Sequence, residues 1–166
     1  MQAELTRYSV AGWGQGELWT GAGVVLAHDF RFSGPGSASV HTSDSVESAG
    51  DGFAEELLAR FCAFLAGEDA GFADVRLDLD SSTTFQRAVV EALRAVPAGE
   101  VVTYAELAAI AGYPGAQRAV GTLCARNRFM FLVPCHRVVA ADGIGRYGSS
   151  GVAVKRRLLA LEGVAL

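Results

Sequence analysis

Apolar residues in the first thirty positions fall in short alternating or continuous stretches, at residues 5–10, 17–20 and 23–30. Gly12, Gly14, Gly16, Gly21 and Gly23 punctuate them. Short stretches of this kind, bounded by residues that turn the chain without steric cost, predict antiparallel strands joined by tight turns. Residues 33–52 (SGPGSASVHTSDSVESAGDG) lose the pattern; small and polar, they predict a flexible loop. Apolar positions 53, 57, 58, 61, 64 and 65 then fall on one face at helical spacing, so residues 53–65 predict an amphipathic helix ending at Gly67. Residues 73–79 predict a strand returning to the sheet.

The periodicity changes at Asp80-Ser81-Ser82-Thr83, which reads as a linker between a domain at 1–81 and a second at 82–166. Phe85, Val89, Leu93 and Val96 share a face and predict a helix over 85–96, stopped by Pro97-Ala98-Gly99-Glu100. Thr103-Tyr104-Ala105-Glu106 has the form of a capping box and opens a helix over 104–111. Gly112-Tyr113-Pro114-Gly115 turns the chain into another helix at 116–126, giving the two-helix pattern of a helix-turn-helix. Ala116, Ala119 and Gly121 are small and surround Arg118, an arrangement that permits close approach to a groove or close helix packing. A last helix from Val152 reaches Glu162, with Gly163 as its cap. The expected fold is α/β: a small antiparallel-sheet-plus-helix domain packed on a mostly helical C-terminal domain.

Composition narrows the classes. A chain of 166 residues can bury one sizeable core or two small ones. Its 51% hydrophobic content is spread out, with no run of about 18 apolar residues to span a bilayer. The N-terminus lacks the basic start and apolar stretch of a signal peptide, so a cytoplasmic setting is expected, with no membrane partner. The net charge of −4 conceals a division: residues 1–81 hold four Lys/Arg against 13 Asp/Glu, and residues 82–166 hold ten against five. A local positive field attracts phosphates even on an acidic protein, because screening removes distant charges within about 8–10 Å. Cys62, Cys124 and Cys135 are odd in number and lack C-x-x-C spacing, against both a disulfide framework and a cysteine zinc site. Cys62 and Cys124 read as packing residues.

Cys135 carries the candidate chemistry. It stands in Pro134-Cys135-His136-Arg137-Val138-Val139, beside an imidazole, and Glu162 downstream supplies a partner carboxylate. A thiol is nucleophilic as thiolate, and an imidazole held by a carboxylate can draw off its proton. Apolar residues 129–133 and 138–139 flank the motif and predict a thiol at the end of buried, extended chain. Burial raises a thiol pKa, so a counteracting group is required.

Over residues 82–163 these motifs resemble the O6-alkylguanine-DNA alkyltransferases, which move an alkyl group from damaged guanine onto their own cysteine. The resemblance implies Cys135 as nucleophile, His136 as base acting through a water, and Glu162 as its orienting carboxylate. It implies Tyr104 as a hydroxyl on the guanine and on the phosphate turn. Arg118 would enter the duplex in place of the flipped nucleotide, on a DNA-binding helix with Gln117, Ala119 and Gly121. Asn127 would be a hinge between that helix and the cysteine segment, and Pro134, Arg137, Val138, Ile144, Tyr147 and Gly148 would belong to the hinge or substrate pocket. Two departures stand out: Asn127 is followed by Arg128-Phe129-Met130-Phe131 where relatives carry proline-containing sequence, and Gly148 replaces a serine of some relatives.

The expected reaction is a single-turnover transfer from O6-alkylguanine, possible also from O4-alkylthymine, in double-stranded DNA, by a monomer needing no metal or organic cofactor. Two other readings are a recognition module that binds alkylated guanine without transfer and a Cys-His-Glu hydrolase. Turnover separates them: transfer consumes the protein, recognition consumes nothing, hydrolysis multiplies.

Overall fold

Alternation in the first thirty residues builds a meander of three antiparallel strands, β1 (Glu4–Val10), β2 (Gly14–Gly21) and β3 (Val24–Phe32), in the order β1-β2-β3. The computed structural model describes residues 2–33 and 52–166. From Gly14 to Thr20 the residues of β2 alternate, with Gly14, Gly16, Leu18 and Thr20 buried and Gln15, Glu17 and Trp19 outward, as a sheet with one covered face requires. Tyr8 pairs across from Gly16, and a Cβ at position 16 would lie 2.2 Å from the tyrosine ring. Only glycine fits beneath that ring. Tyr8 donates or accepts at His28 Nε2 over 2.7 Å, and His28 stacks on Phe61 at 4.1 Å between ring centres.

Phe61 comes from α1 (Phe53–Leu65), whose buried face is Ala54, Leu57, Leu58, Phe61, Phe64 and Leu65. Beyond it Gly67, at φ 83°, takes the left-handed conformation that ends the helix. Arg60 bridges Glu56 and Asp74 at 2.7 Å each, holding the following segment against the helix.

That segment departs from expectation. Residues 73–79 form no strand; a single parallel bridge joins Val25 to Leu77, through Val25 N–H to Arg76 O and Asp78 N–H to Val25 O. Turns at 73 and 74 leave too few extended residues for a ladder. Residues 34–51, most of the expected 33–52 loop, lie outside the described residues.

The chain divides into two compact units at Asp78/Leu79, three residues before the border read from the sequence. Leu79 and Asp80 already serve the second unit, since Leu79 O accepts from Ser82 N–H and Asp80 O from Arg87.

The second unit opens with α2 (Thr84–Arg94), which buries Val89, Val90 and Leu93. It carries a complete capping box absent from the sequence reading: Thr83 accepts from Gln86 N–H at 3.1 Å and Gln86 accepts from Thr83 N–H at 2.9 Å. Pro97 disfavours helical backbone before it, and the helix stops two residues short of the expected Val96. A two-residue strand β4 (Val102–Thr103) leads into α3 (Tyr104–Ile110). Here the expected box is half formed. Thr103 caps Glu106 N–H at 3.1 Å, but the Glu106 carboxylate accepts from the Thr103 hydroxyl, also at 3.1 Å, rather than from backbone. Thr103 is also paired with Val139 in the parallel ladder of β4 with β5 (Val138–Val139).

Gly112, at φ 92°, ends α3 and the chain turns into α4 (Gln117–Ala125). The last helix, α5 (Val152–Leu161), closes with Gly163 N–H on Ala160 O and Val164 N–H on Leu159 O, a Schellman motif. Leu107, Ala108, Val120, Val138, Leu158 and Leu159 are completely buried and form the centre of this unit. Among the described residues no helix is long and apolar enough to cross a membrane.

Candidate active site

Between α4 and β5 the chain is wound into turns. The expected extended chain before the thiol is absent: Val133 N–H bonds back to Phe129 O at 2.9 Å and Phe131 takes φ 69°. Only Val138–Val139 is strand, and the backbone of Phe129 and Val133 is engaged by their mutual bond and by Asn127. Asn127 Nδ2 donates to Val133 O and its Oδ1 accepts from Phe129 N–H, both at 2.9 Å. One side chain thus ties the end of α4 to the turn that delivers the cysteine.

Pro134 makes the last bend. At φ −79°, ψ 67° it is the centre of an inverse γ-turn, closed by Cys135 N–H on Val133 O at 2.8 Å. Proline's locked φ is already near that value. Cys135–Arg137 then forms one turn of 3-10 helix before β5.

Cys135 is buried, 6% exposed. Interaction with Cys124 and burial hold its pKa well above that of an ordinary thiol, while Lys155 and Asn127 pull the other way. The Cys124 thiol is shifted down by its interaction with Cys135, against burial and with help from Lys155. A charge on either thiol therefore opposes ionisation of the other. Cys124, read from sequence as packing, also bears on the ionisation of the candidate nucleophile. Its position three residues before Asn127, on the last turn of a helix ending at the hinge, is the signal that could have found it.

His136 and Glu162 meet as expected, at 3.1 and 3.2 Å from Nε2 to the two carboxylate oxygens. Burial lowers the His136 pKa, Glu162 offsets part of that, and Arg137 and Lys155 lower it further, so the imidazole is neutral at pH 7. Arg137, grouped from sequence with the hinge and pocket residues, is engaged with Glu162 through Nε and NH2 at 2.8–3.1 Å, and its third nitrogen donates to Val96 O at 2.7 Å. Burial alone would raise the Glu162 carboxyl, but the hydrogen bonds from His136 and Arg137 bring it to about 2.

Lys155, on α5, is completely buried, a placement the sequence reading did not anticipate. Its ammonium donates to Val138 O at 2.5 Å and Arg146 O at 2.9 Å, and it lies 5.9 Å from the Tyr104 ring centre. Burial lowers its pKa to about 8. Tyr104 couples electrostatically to both Cys124 and Cys135, and burial raises its pKa, keeping the hydroxyl protonated. Tyr147, held up by burial and the same two sulfurs, donates to Met130 Sδ at 3.1 Å. Met130 belongs to the stretch that departs from the family's proline-containing sequence. Gly148 takes φ 47° and Ile144 is half-buried in the same loop.

The helix-turn-helix side is separate. Gln117, Arg118 and Ala119 are exposed on the first turn of α4 while Val120 is completely buried, so this helix turns its N-terminal half outward. A Cβ at Gly121 would meet no atom within 4 Å, so its smallness serves no internal packing and leaves the surface open to close approach. A cavity of about 630 Å³ lies beside this helix, lined by Phe85, Val90, Ala119, Leu123, Arg126 and Asn127 among others. Cys135 does not line it.

Residues 84–164 match the family described as 6-O-methylguanine DNA methyltransferase, DNA binding domain. A methylated-DNA–protein-cysteine methyltransferase of Methanosarcina acetivorans is 41% identical over 129 residues, 77% of this chain and 80% of the relative. One of Methanothermobacter thermautotrophicus is 38% identical over 112 residues, 68% of this chain, and the match spans only 62% of that relative's length. In three dimensions, an O6-methylguanine methyltransferase of Mycobacterium tuberculosis superposes with a TM-score of 0.76 at 32% identity, covering 97% of this chain and 93% of that one. A structure of Mycobacterium tuberculosis OGT in complex with DNA gives 0.73 at 31% identity, covering 95% and 92%.

Proposed function

This chain belongs to the methylated-DNA–protein-cysteine methyltransferase family, the O6-alkylguanine-DNA alkyltransferases, and on that premise we propose that it repairs double-stranded DNA by transferring an alkyl group from guanine O6 to its own Cys135. The observation that carries the reading is the position of Cys135: a buried thiol on a turn that Asn127 ties to the end of a helix whose opposite end presents Arg118 outward.

Chemistry on a base requires its extrusion from the stack, at a cost of a few kcal/mol. Arg118 fills the gap, where a planar guanidinium stacks and hydrogen-bonds. The open surface at Gly121, with Gln117 and Ala119, lets α4 lie close to the groove. Tyr147 and the loop through Ile144 and Gly148 wall the extruded base.

The thiol begins protonated. Its proton passes through a water to neutral His136, whose Nε2 is already fixed on Glu162, so the carboxylate stabilises the imidazolium as it forms. Lys155 favours the charge left on sulfur. Sulfur attacks the alkyl carbon, the carbon–O6 bond breaks, and the departing guanine takes a proton from Tyr104, a hydroxyl that burial keeps protonated until then. The product is a thioether at Cys135 and an intact guanine. A thioether has no hydrolytic exit, so each molecule acts once, in a cytoplasmic setting. Retention of Cys135 disfavours recognition without transfer.

Incubation with duplex containing O6-methylguanine adds one methyl mass to the Cys135 peptide, stoichiometrically, and Cys135→Ser adds none. An unlabelled Cys135 peptide after complete incubation overturns the proposal.

A further inference from the structure

Arg128 and Phe129, which depart from the family's sequence after Asn127, have no part in the mechanism above, yet both line the cavity beside α4. Phe129, 4% exposed, belongs to an apolar wall with Phe85, Val90 and Leu123. Arg128 packs on it, with the guanidinium carbon 4.8 Å from the centre of the Phe129 ring, so the ring orients a cation that stays exposed. Arg126, the C-terminal cap of α4, lines the cavity as well. It is exposed and, among the described residues, its guanidinium has no hydrogen-bond or ion-pair partner. No carboxylate lines the cavity among the described residues, while Ser82 and Thr83 add hydroxyls. Thr83 Oγ accepts from Gln86 N–H, so its hydroxyl hydrogen remains to donate. Two guanidiniums and two hydroxyls against an apolar wall suit an anion carried on an apolar framework.

The cavity continues the surface already read as facing DNA. Ala119 belongs to both, and Ala119, Thr122 and Arg126 follow at spacings of three and four, along one face of α4. From Arg118 to Arg126 the helix advances about 12 Å, which spans roughly three to four base steps of a duplex.

We propose that this cavity is a backbone site for the same duplex, in which Arg126 and Arg128 bind phosphate oxygens flanking the extruded nucleotide and the apolar wall takes the sugar edges. This site rests on the reading of α4 as the helix that meets DNA, and not on transfer to Cys135. A guanidinium donates to phosphate oxygens in bidentate geometry, and each phosphate neutralised releases condensed counterions. Such contacts carry no base information; they fix the register of α4 and with it the base step that Arg118 enters.

Two measurements on the full-length protein test the site. In titrations of undamaged duplex against salt, Arg126→Gln and Arg128→Gln each reduce the slope of log affinity on log salt by about 0.9. Raising salt from roughly 50 to 200 mM then costs each variant about threefold less affinity than it costs the wild type. Arg126→Lys, which keeps the charge, keeps the slope. Arg76→Gln, which removes an exposed arginine of the first unit, leaves the slope unaltered. In the second measurement, phosphates of a duplex carrying one O6-methylguanine are ethylated singly and bound by Cys135→Ser, which transfers nothing. Ethylation within about four steps of the lesion weakens binding, and adding Arg126→Gln removes part of that interference. Slopes in both glutamine variants equal to the wild type, or an equal loss in Arg76→Gln, overturn the proposal. An interference pattern that Arg126→Gln leaves intact assigns the cavity to a ligand other than DNA and overturns it too. Reduced slopes in a protein whose wild type transfers no methyl group refute the repair reading and leave the backbone site standing; methyl transfer with unreduced slopes does the reverse.

Discussion

Arg137 and His136 grip one carboxylate: Glu162 takes Nε and NH2 of the guanidinium at 2.8–3.1 Å and the imidazole Nε2 at 3.1 Å. Glu162 caps α5 at its C-terminus, where the helix dipole opposes a negative charge, and these two partners offset that disadvantage. With 4% of its side chain exposed, the carboxylate depends on them. The relay expected between histidine and glutamate is therefore a triad in which arginine sets the position of the carboxylate.

Glu162→Gln leaves Arg137 without its counter-charge and costs about 3 kcal/mol at pH 7 in urea unfolding. The Glu162 carboxyl sits at about 2 in the folded protein, against 4.5 ordinarily, so its contribution is complete above the ordinary value and disappears as pH falls through 4.5 toward 2. The stability difference between wild type and variant narrows over that window; a constant difference contradicts the assignment.

The same variant moves the reaction. Without the carboxylate the imidazolium loses its stabiliser, His136 becomes a weaker base, and the rate of methyl transfer needs higher pH to reach its plateau. Single-turnover rates from pH 6 to 9 read the shift, and superimposable profiles rule out the relay.

Arg118→Ala separates binding of DNA from chemistry at sulfur. The exposed arginine does not touch the thiol, so reaction with free O6-benzylguanine stays near the wild-type rate, while repair in duplex slows about ten- to a hundred-fold as the extruded base loses its replacement. Equal losses on both substrates contradict the role.

Lys155 gives stability an alkaline dependence. Its pKa is about 8 in the folded protein against 10.5 ordinarily, so the unfolded chain binds the proton more tightly. Stability from this group rises with pH between 8 and 10.5 and is lost as pH falls through that window, by about 3 kcal/mol in total. Lys155→Met removes this slope; parallel curves for the two proteins argue against it. The variant also leaves Val138 O and Arg146 O without their donor, so it is less stable at pH 7.

The two threonine caps are unequal. The double variant Thr83→Ala/Gln86→Ala breaks both arms of a complete box and destabilises by about 1–2 kcal/mol, whereas Thr103→Ala removes one backbone contact and costs about 1 kcal/mol or less. Thermal unfolding of the two variants ranks them, and the reverse order contradicts the capping assignment.

Local signals were legible in the sequence. The glycine-punctuated meander, the stripe through Leu57, Phe61 and Phe64, the stop at Pro97 and the Gly163 cap each follow from the conformational freedom or periodicity of a few neighbouring residues. Pairing of His136 with Glu162 was legible because both stand in a recognisable motif. What depends on packing was not. Residues 73–79 have strand composition but find a partner at only one bridge, and residues 129–133 look extended while their backbone closes on itself and on Asn127.

Tertiary structure decided the rest of the site. Lys155 is indistinguishable in sequence from its charged neighbours Arg156 and Arg157, and only the rotation of α5 directs it inward to Val138 O and Arg146 O. Arg137 acquires its task because Val96 O and Glu162 converge from distant segments. Cys124, a helical cysteine with no mark in its neighbours, comes to bear on the ionisation of Cys135 only in the folded unit. Sequence determines what each side chain can do and how its near neighbours are shaped; which groups share a hydrogen bond or a charge across dozens of residues is set by the close packing of the folded unit, which no local pattern encodes.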